Sequence, residues 1–265
     1  MLIDNFSPQS INALYGSALD PHVSSYLLID GAFKSGAHRV FDEKEKRILF
    51  DILPGCNDTT RDVSPFVVAF EPGDRRLRVL FERFSGRPMV SVIETSESLT
   101  KLSTRLAAWC VIEVDNQRFN LRFSDTRRLP AILNILTPQQ RAKFTGPMKR
   151  WRYIARNGEW EELPVNGGSQ ESAVNPILNG CQFAVLVDDS RADEFLVLLC
   201  DRGREVYNFP SRSHSLVTTA LRAAAIAKLE EDKVLQWCMW FWERDKCDDD
   251  TVAATLLQTW QRDTQ

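Results

Sequence analysis

Apolar residues change their spacing near the middle of this chain, and no single regular architecture accommodates both patterns. Before Trp160 they gather in short runs. Tyr26-Leu27-Leu28-Ile29-Asp30, Pro65–Phe70 and Met89–Ile93 are bounded by turn residues and too short for useful helices, which predicts buried strands. Val111-Ile112-Glu113-Val114 and Phe119-Asn120-Leu121-Arg122-Phe123 alternate apolar with polar residues on either side of Asp115-Asn116, the pattern of a hairpin with one wet face. Beyond Gly180 the apolar residues recur every three or four positions: Phe195, Leu196, Leu198 and Leu199, then Val217, Leu221, Ala224, Ala225 and Leu229, then Val252, Leu256, Leu257 and Trp260. Those are helical stripes. The expected fold is therefore α+β: an N-terminal mixed α/β lobe with a sheet of about five strands and flanking helices, and an all-helical C-terminal lobe.

Local signals punctuate this plan. Ser96 is placed to cap a helix carrying Leu99, Leu102, Leu106 and Trp109, and Asp125 to cap the segment 127–136. Thr137-Pro138-Gln139-Gln140 restarts a helix with proline at its first position, and Gly146-Pro147 stops it. From Glu161 to Gly180, Pro164, Gly167, Gly168 and Pro176 with few large apolar residues suggest a linker. This divides the chain into lobes 1–160 and 181–265 around a linker 161–180. In the second lobe Ser190 with Asp193 and Glu194 resembles a capping box, and Gly203 marks a stop.

Composition limits the partners. The 265 residues are 43% hydrophobic and 26% charged, enough apolar material for two cores. With 33 Lys and Arg against 36 Asp and Glu, the net charge of −3 gives no general attraction to nucleic acid or anionic lipid. The longest apolar runs, Phe195–Cys200 and Trp237–Trp242, fall far short of the roughly 20 residues of a spanning helix. Met1-Leu2-Ile3-Asp4-Asn5 lacks the basic start of a secretory signal. The six cysteines are irregularly spaced without a CxxC, and four lie in apolar runs where they read as core residues. A cytoplasmic, reducing location is expected.

Chemistry-bearing patterns are few. Gly31-Ala-Phe-Lys-Ser-Gly36 has the glycine spacing of a phosphate loop, but Ala37-His38 replaces the lysine and hydroxyl that phosphate and magnesium require. Histidines 22, 38 and 214 form no close-spaced pair, so neither metal nor cofactor is expected. Cys200 and His214 could meet as a thiolate–imidazolium pair, although Cys200 ends an apolar run and is better read as packing. Asp248-Asp249-Asp250 could bind a hard cation, but it precedes the last helix, where acidic residues favour the positive end of its dipole. One feature exceeds what a core needs: Trp237-Cys-Met-Trp-Phe-Trp242 sets large rings nearly all round a helix. That makes Trp237, Trp240, Phe241 and Trp242 candidate partner-binding residues. The alternative is that two rings fill the core and a third bridges to the first lobe.

Tyr26-Leu-Leu-Ile-Asp-Gly-Ala-Phe33, Leu49-Phe50-Asp51 and Val63-Ser-Pro65-Phe-Val-Val68 are followed by Ser96–Leu106, Phe119–Arg127 with Leu129, and Leu136–Gln140 with Phe144-Thr-Gly146-Pro147. In this order and spacing they resemble domain of unknown function family 4123, the adaptor chaperones of type VI secretion. The resemblance spans roughly residues 25–155, with a weaker similarity of the helical half to the C-terminal lobe of such adaptors. Thr126 stands where that family often has proline, and Phe84-Ser85-Gly86-Arg87 where it commonly has a Trp-Gly pair. The resemblance implies a non-enzymatic role: holding a cognate effector protein in the cytoplasm and helping to load it onto the spike protein. An immunity or other toxin-binding protein, and an enzyme using Cys200 and His214, are the alternatives. The matched residues Asp30, Phe50, Asp51, Pro65, Arg122, Asp125, Arg127, Gly146 and Pro147 are read as structural, because charges beside buried strands more often pair or cap than bind.

Overall fold

The computed structural model of the chain describes residues 2–13, 23–71, 74–165, 168, 175–244 and 248–264. The chain forms two compact units, Leu2–Val187 and Asp188–Gln265. His22 and Cys247, and linker positions 166–167 and 169–174, lie outside the described residues.

The first unit is built on strands β1 (Ser24–Asp30), β2 (Lys46–Ile48), β3 (Pro65–Ala69), β4 (Val90–Thr95), β7 (Met148–Ile154) and β8 (Trp160–Glu162), all antiparallel in the order β2-β3-β1-β4-β7-β8. The short apolar runs form β1, β3 and β4 because both sheet faces are covered, so the apolar side chains on either face of Tyr26–Ile29, Phe66–Val68 and Val90–Ile93 find a core. One face carries Tyr26, Leu28, Val67, Ile93 and Trp151, packed with Leu102 and Leu106 of α4 (Leu99–Ala108), Leu129 and Ile132 of α5 (Leu129–Ile135) and Phe144 of α6 (Pro138–Thr145). The other carries Leu27, Ile29, Phe66, Val68, Val90 and Val92 against Leu77, Phe81 and Phe84 of α3 (Arg75–Phe84) and the N-terminal Ile3 and Phe6. Two shorter helices, α1 (Pro8–Ala13) and α2 (Asp58–Val63), belong to the same unit.

The expected hairpin forms, but outside the sheet: β5 (Val111–Val114) and β6 (Gln117–Asn120) make a separate two-stranded sheet. Its turn residues Asp115 and Asn116 take φ of 49° and 61°, the left-handed region these residue types tolerate. The sheet instead gains β2, β7 and β8. Gly146 does stop α6, yet the chain continues directly into β7, whose alternation is broken by a register shift opposite Glu94 and Thr95.

Several local expectations need correction. Ser98, not Ser96, caps α4 through the Lys101 amide. Asp125 does not cap a helix from 127; α5 starts at Leu129, and Asp125 holds Arg127 instead. Thr137 does form the capping box of α6 with Gln140. The segment read as a linker is partly structured: 160–162 form β8, Leu163 is buried, and Glu113 pairs through its backbone with Pro176 and Leu178. The division between units falls at Val187/Asp188, inside α7 (Gly180–Asp201), whose N-terminal residues Phe183 and Leu186 pack on the first unit's core. Ser190 is consequently mid-helix and donates to Glu194 rather than opening a helix.

The second unit is helical: the rest of α7, α8 (Pro210–Ile226), α9 (Glu231–Arg244) and α10 (Asp250–Asp263). Its core gathers Phe195, Leu199, Leu216, Val217, Ala220, Trp237, Phe241, Leu257 and Trp260. Among the described residues no helix is long and apolar enough to cross a membrane.

Candidate functional site

The matched residues converge where β1 ends. Asp30 is 1% exposed and accepts a hydrogen bond from the Ala32 amide at 2.9 Å, which tightens the chain into a short turn carrying Phe33. Gly31 is required in that turn because a Cβ would lie 2.4 Å from the Ser64 carbonyl oxygen, to which the Gly31 amide donates at 3.2 Å. Pro65, opposite Asp30 in the β1–β3 register, is buried, and the Ser64 hydroxyl accepts from the Phe50 amide at 3.0 Å. Asp30, Phe50 and Pro65 are thereby brought together by the exit of β1 and the entry to β3.

After β6 a turn supplies the cationic side. Arg122 donates from Nη2 to Asp30 Oδ2 at 3.2 Å. Asp125, 2% exposed, accepts from Arg127 at Nε (3.0 Å) and Nη2 (2.8 Å) as well as from its amide (3.1 Å). The Thr126 amide is tied to the Pro88 carbonyl at 3.0 Å, which holds the turn beside the entry to β4. Both guanidinium groups lie over the Phe33 ring, at 5.0 Å for Arg122 and 5.5 Å for Arg127. Burial pushes the Asp30 carboxyl above its ordinary value; the positive charge of Arg122 and the Ala32 amide offset this in part, while the negative charge of Asp125 adds to it. Acidic groups are thus shut beneath the surface, and the Arg122 side chain remains 44% exposed above them.

The other matched residues lie elsewhere. Asp51 is exposed and pairs with Arg61 at 3.0 Å. Gly146, at φ +53°, sits against Arg105: a Cβ there would approach its Nε to 2.6 Å. Arg105 and Glu97 form a buried ion pair, with Nε to Oε1 at 3.0 Å, and Arg105 also donates to the Phe144 carbonyl. Sequence reasoning missed this pair. The signal was present, since Arg105 occupies the same helical stripe as Leu102 and Leu106 and could only be buried with a partner. Phe33 was also not singled out, though it belongs to the quoted Gly31-Ala-Phe33 segment.

Of the tryptophan-rich run, two candidates must be withdrawn as surface anchors. Trp237 is 0% and Phe241 1% exposed; Trp237 donates from Nε1 to the Ala220 carbonyl at 2.9 Å. With Val234 and Cys238 they form the buried stripe of α9. Trp240 and Trp242 are half-buried; Trp240 stacks on Trp237 at 5.7 Å, and the Arg244 guanidinium lies 4.5 Å from its ring centre.

Cys200 is partly buried against the second unit's core, and His214 lies in α8 with its carbonyl accepting from Thr218. Burial raises the Cys238 thiol to about 12 and pushes Cys110 higher still. Asp249 caps α10 by accepting from the Thr251 and Val252 amides, Asp250 pairs with Arg222, and Asp248 accepts from the Ser215 hydroxyl. These acidic groups are engaged in holding α8 and α10. No cluster of potential metal ligands occurs among the described residues.

Residues 25–143 match the family model of the domain of unknown function DUF4123. The match contains the whole Asp30–Phe33–Arg122–Asp125–Arg127 cluster and ends before Gly146-Pro147. No curated protein and no solved structure matches the chain.

Proposed function

We propose that the protein is a non-enzymatic adaptor that holds a cognate type VI secretion effector in the cytoplasm and helps to load it onto the spike protein. The observation that carries this reading is the family match over 25–143, which contains most of the sequence segments, from Tyr26 to Gln140, that suggested such adaptors. Two features of the structure support it. The matched polar residues at the end of β1 are joined in ion pairs around an aromatic ring, an arrangement suited to holding a surface in shape. In the second unit, Trp240 and Trp242 retain partial exposure, and tryptophan is among the side chains most enriched at the energetic centres of protein interfaces.

The test is delivery. In a strain lacking this chain, the effector encoded beside it should be lost from the secreted fraction and recovered on complementation, while a neighbour-independent effector is secreted normally. Equal secretion and equal solubility of the effector in both strains would sink the adaptor reading.

A further inference from the structure

The surface at the end of β1 has a feature that structural pairing does not need. Asp30 is already served by the Ala32 amide at 2.9 Å, so a partner for it could be supplied from within the core. Instead it is paired with a side chain that stays 44% exposed while the side chain of the acid is 2% exposed. Asp125 repeats the layering, with its carboxylate 2% and Arg127 12% exposed. Phe33 gives both guanidiniums one flat support, and fixing a guanidinium plane lowers the entropy lost when it binds. The bond to Asp30 uses Nη2 of Arg122, one of five N–H donors that a guanidinium carries.

We propose that Arg122, held on Phe33 and braced by Arg127, is a docking point for a carboxylate-bearing segment of a partner polypeptide. The chemistry fits a planar acidic group, which a guanidinium fork meets with two parallel hydrogen bonds. It does not fit a nucleic-acid backbone, because two guanidiniums backed by carboxylates offer no extended basic track and the chain's net charge is −3. The proposal deepens the adaptor reading and rests on it only in taking the partner to be a polypeptide.

The test uses the full chain and an oligoglutamate peptide as probe, titrated calorimetrically at low and high salt, with thermal melting as the control for folding. Arg122→Lys keeps a positive charge for Asp30 but loses the planar fork. The double variant Asp30→Asn with Arg122→Ala removes the buried acid together with its partner and so stays foldable if the single variant does not. The expected result is salt-sensitive binding by the wild type, about tenfold weaker in Arg122→Lys and lost in the double variant. Melting of whichever variant folds should stay near that of the wild type. No binding by the wild type, or binding unchanged in a folded variant, overturns the proposal. A chain that binds the peptide through Arg122 yet captures no effector would sink the adaptor reading and leave this surface standing. Effector capture undiminished by either folded variant would do the reverse.

Discussion

Replacing Arg105 by alanine leaves Glu97 as an uncompensated charge in the interior, since the two side chains are 6% and 3% exposed. The expected loss is about 3–5 kcal/mol in denaturant unfolding. Replacing the pair together, Glu97→Leu with Arg105→Met, should recover most of it, because the cost lies in the orphaned charge. Asp30 behaves differently. Its folded carboxyl titrates above the unfolded value of about 3.9, so the folded state binds the extra proton between those two values and stability falls as pH rises through that window. Above the window a constant penalty remains. Asp30→Asn, which keeps the acceptor for Ala32, should therefore melt no lower than wild type at pH 7 and should flatten the acid side of the stability profile. A large drop in melting temperature would show that the pair with Arg122 outweighs burial. At this scale the sequence was partly legible. Asp30, Arg122, Asp125 and Arg127 were readable as paired, but the partners were not, because Asp30 and Arg122 are 92 positions apart and Phe33 enters only through the turn that Gly31 permits.

Elements were legible where local chemistry decided them. The Thr137–Gln140 box and the Asp115-Asn116 turn follow from side-chain and backbone preferences that need no tertiary partner. Thr137→Ala should cost about 1 kcal/mol, measured by equilibrium unfolding. The strands β7 and β8 were hidden because Lys149, Arg150 and Arg152 make β7 look like a surface segment, whereas Arg152 and Arg150 pair with Glu94 and Arg150 also with Glu162. The tryptophan run was misread for another reason. Taken alone it is apolar all round, but beginning the count at Val234 yields 234, 237, 238 and 241, a clean buried stripe that leaves Trp240 and Trp242 to the side. Trp237→Ala should then cost about 3–5 kcal/mol, whereas Trp240→Ala should cost about 1–2 kcal/mol and leave a cooperative transition. Equal costs would contradict this division of α9.

At the scale of the molecule, the change from runs to stripes correctly separates a sheet-containing unit from a helical one, but the Gly- and Pro-rich segment is not where the units divide. Composition cannot show that 160–163 are drawn into the sheet and core, or that 176–178 pair with Glu113. The division inside α7 makes a prediction. A fragment ending at Val187 keeps Phe183 on Phe119 at 4.6 Å and the bonds of Gln182 to Ile135 and Gln140, and should unfold cooperatively. A fragment ending at Asn179 loses both and should melt measurably lower; equal melting would place those contacts outside the cooperative unit.

The proposed adaptor role requires that this molecule act by contact with another polypeptide. The most direct measurement is the mass of the species formed when the chain is co-expressed and purified with the protein encoded beside it, read by size-exclusion chromatography with light scattering. A stable complex of defined stoichiometry, separable into its two chains only under denaturing conditions, is the predicted result. Two independent peaks at their monomer masses, with neither protein retained by the other, would contradict it.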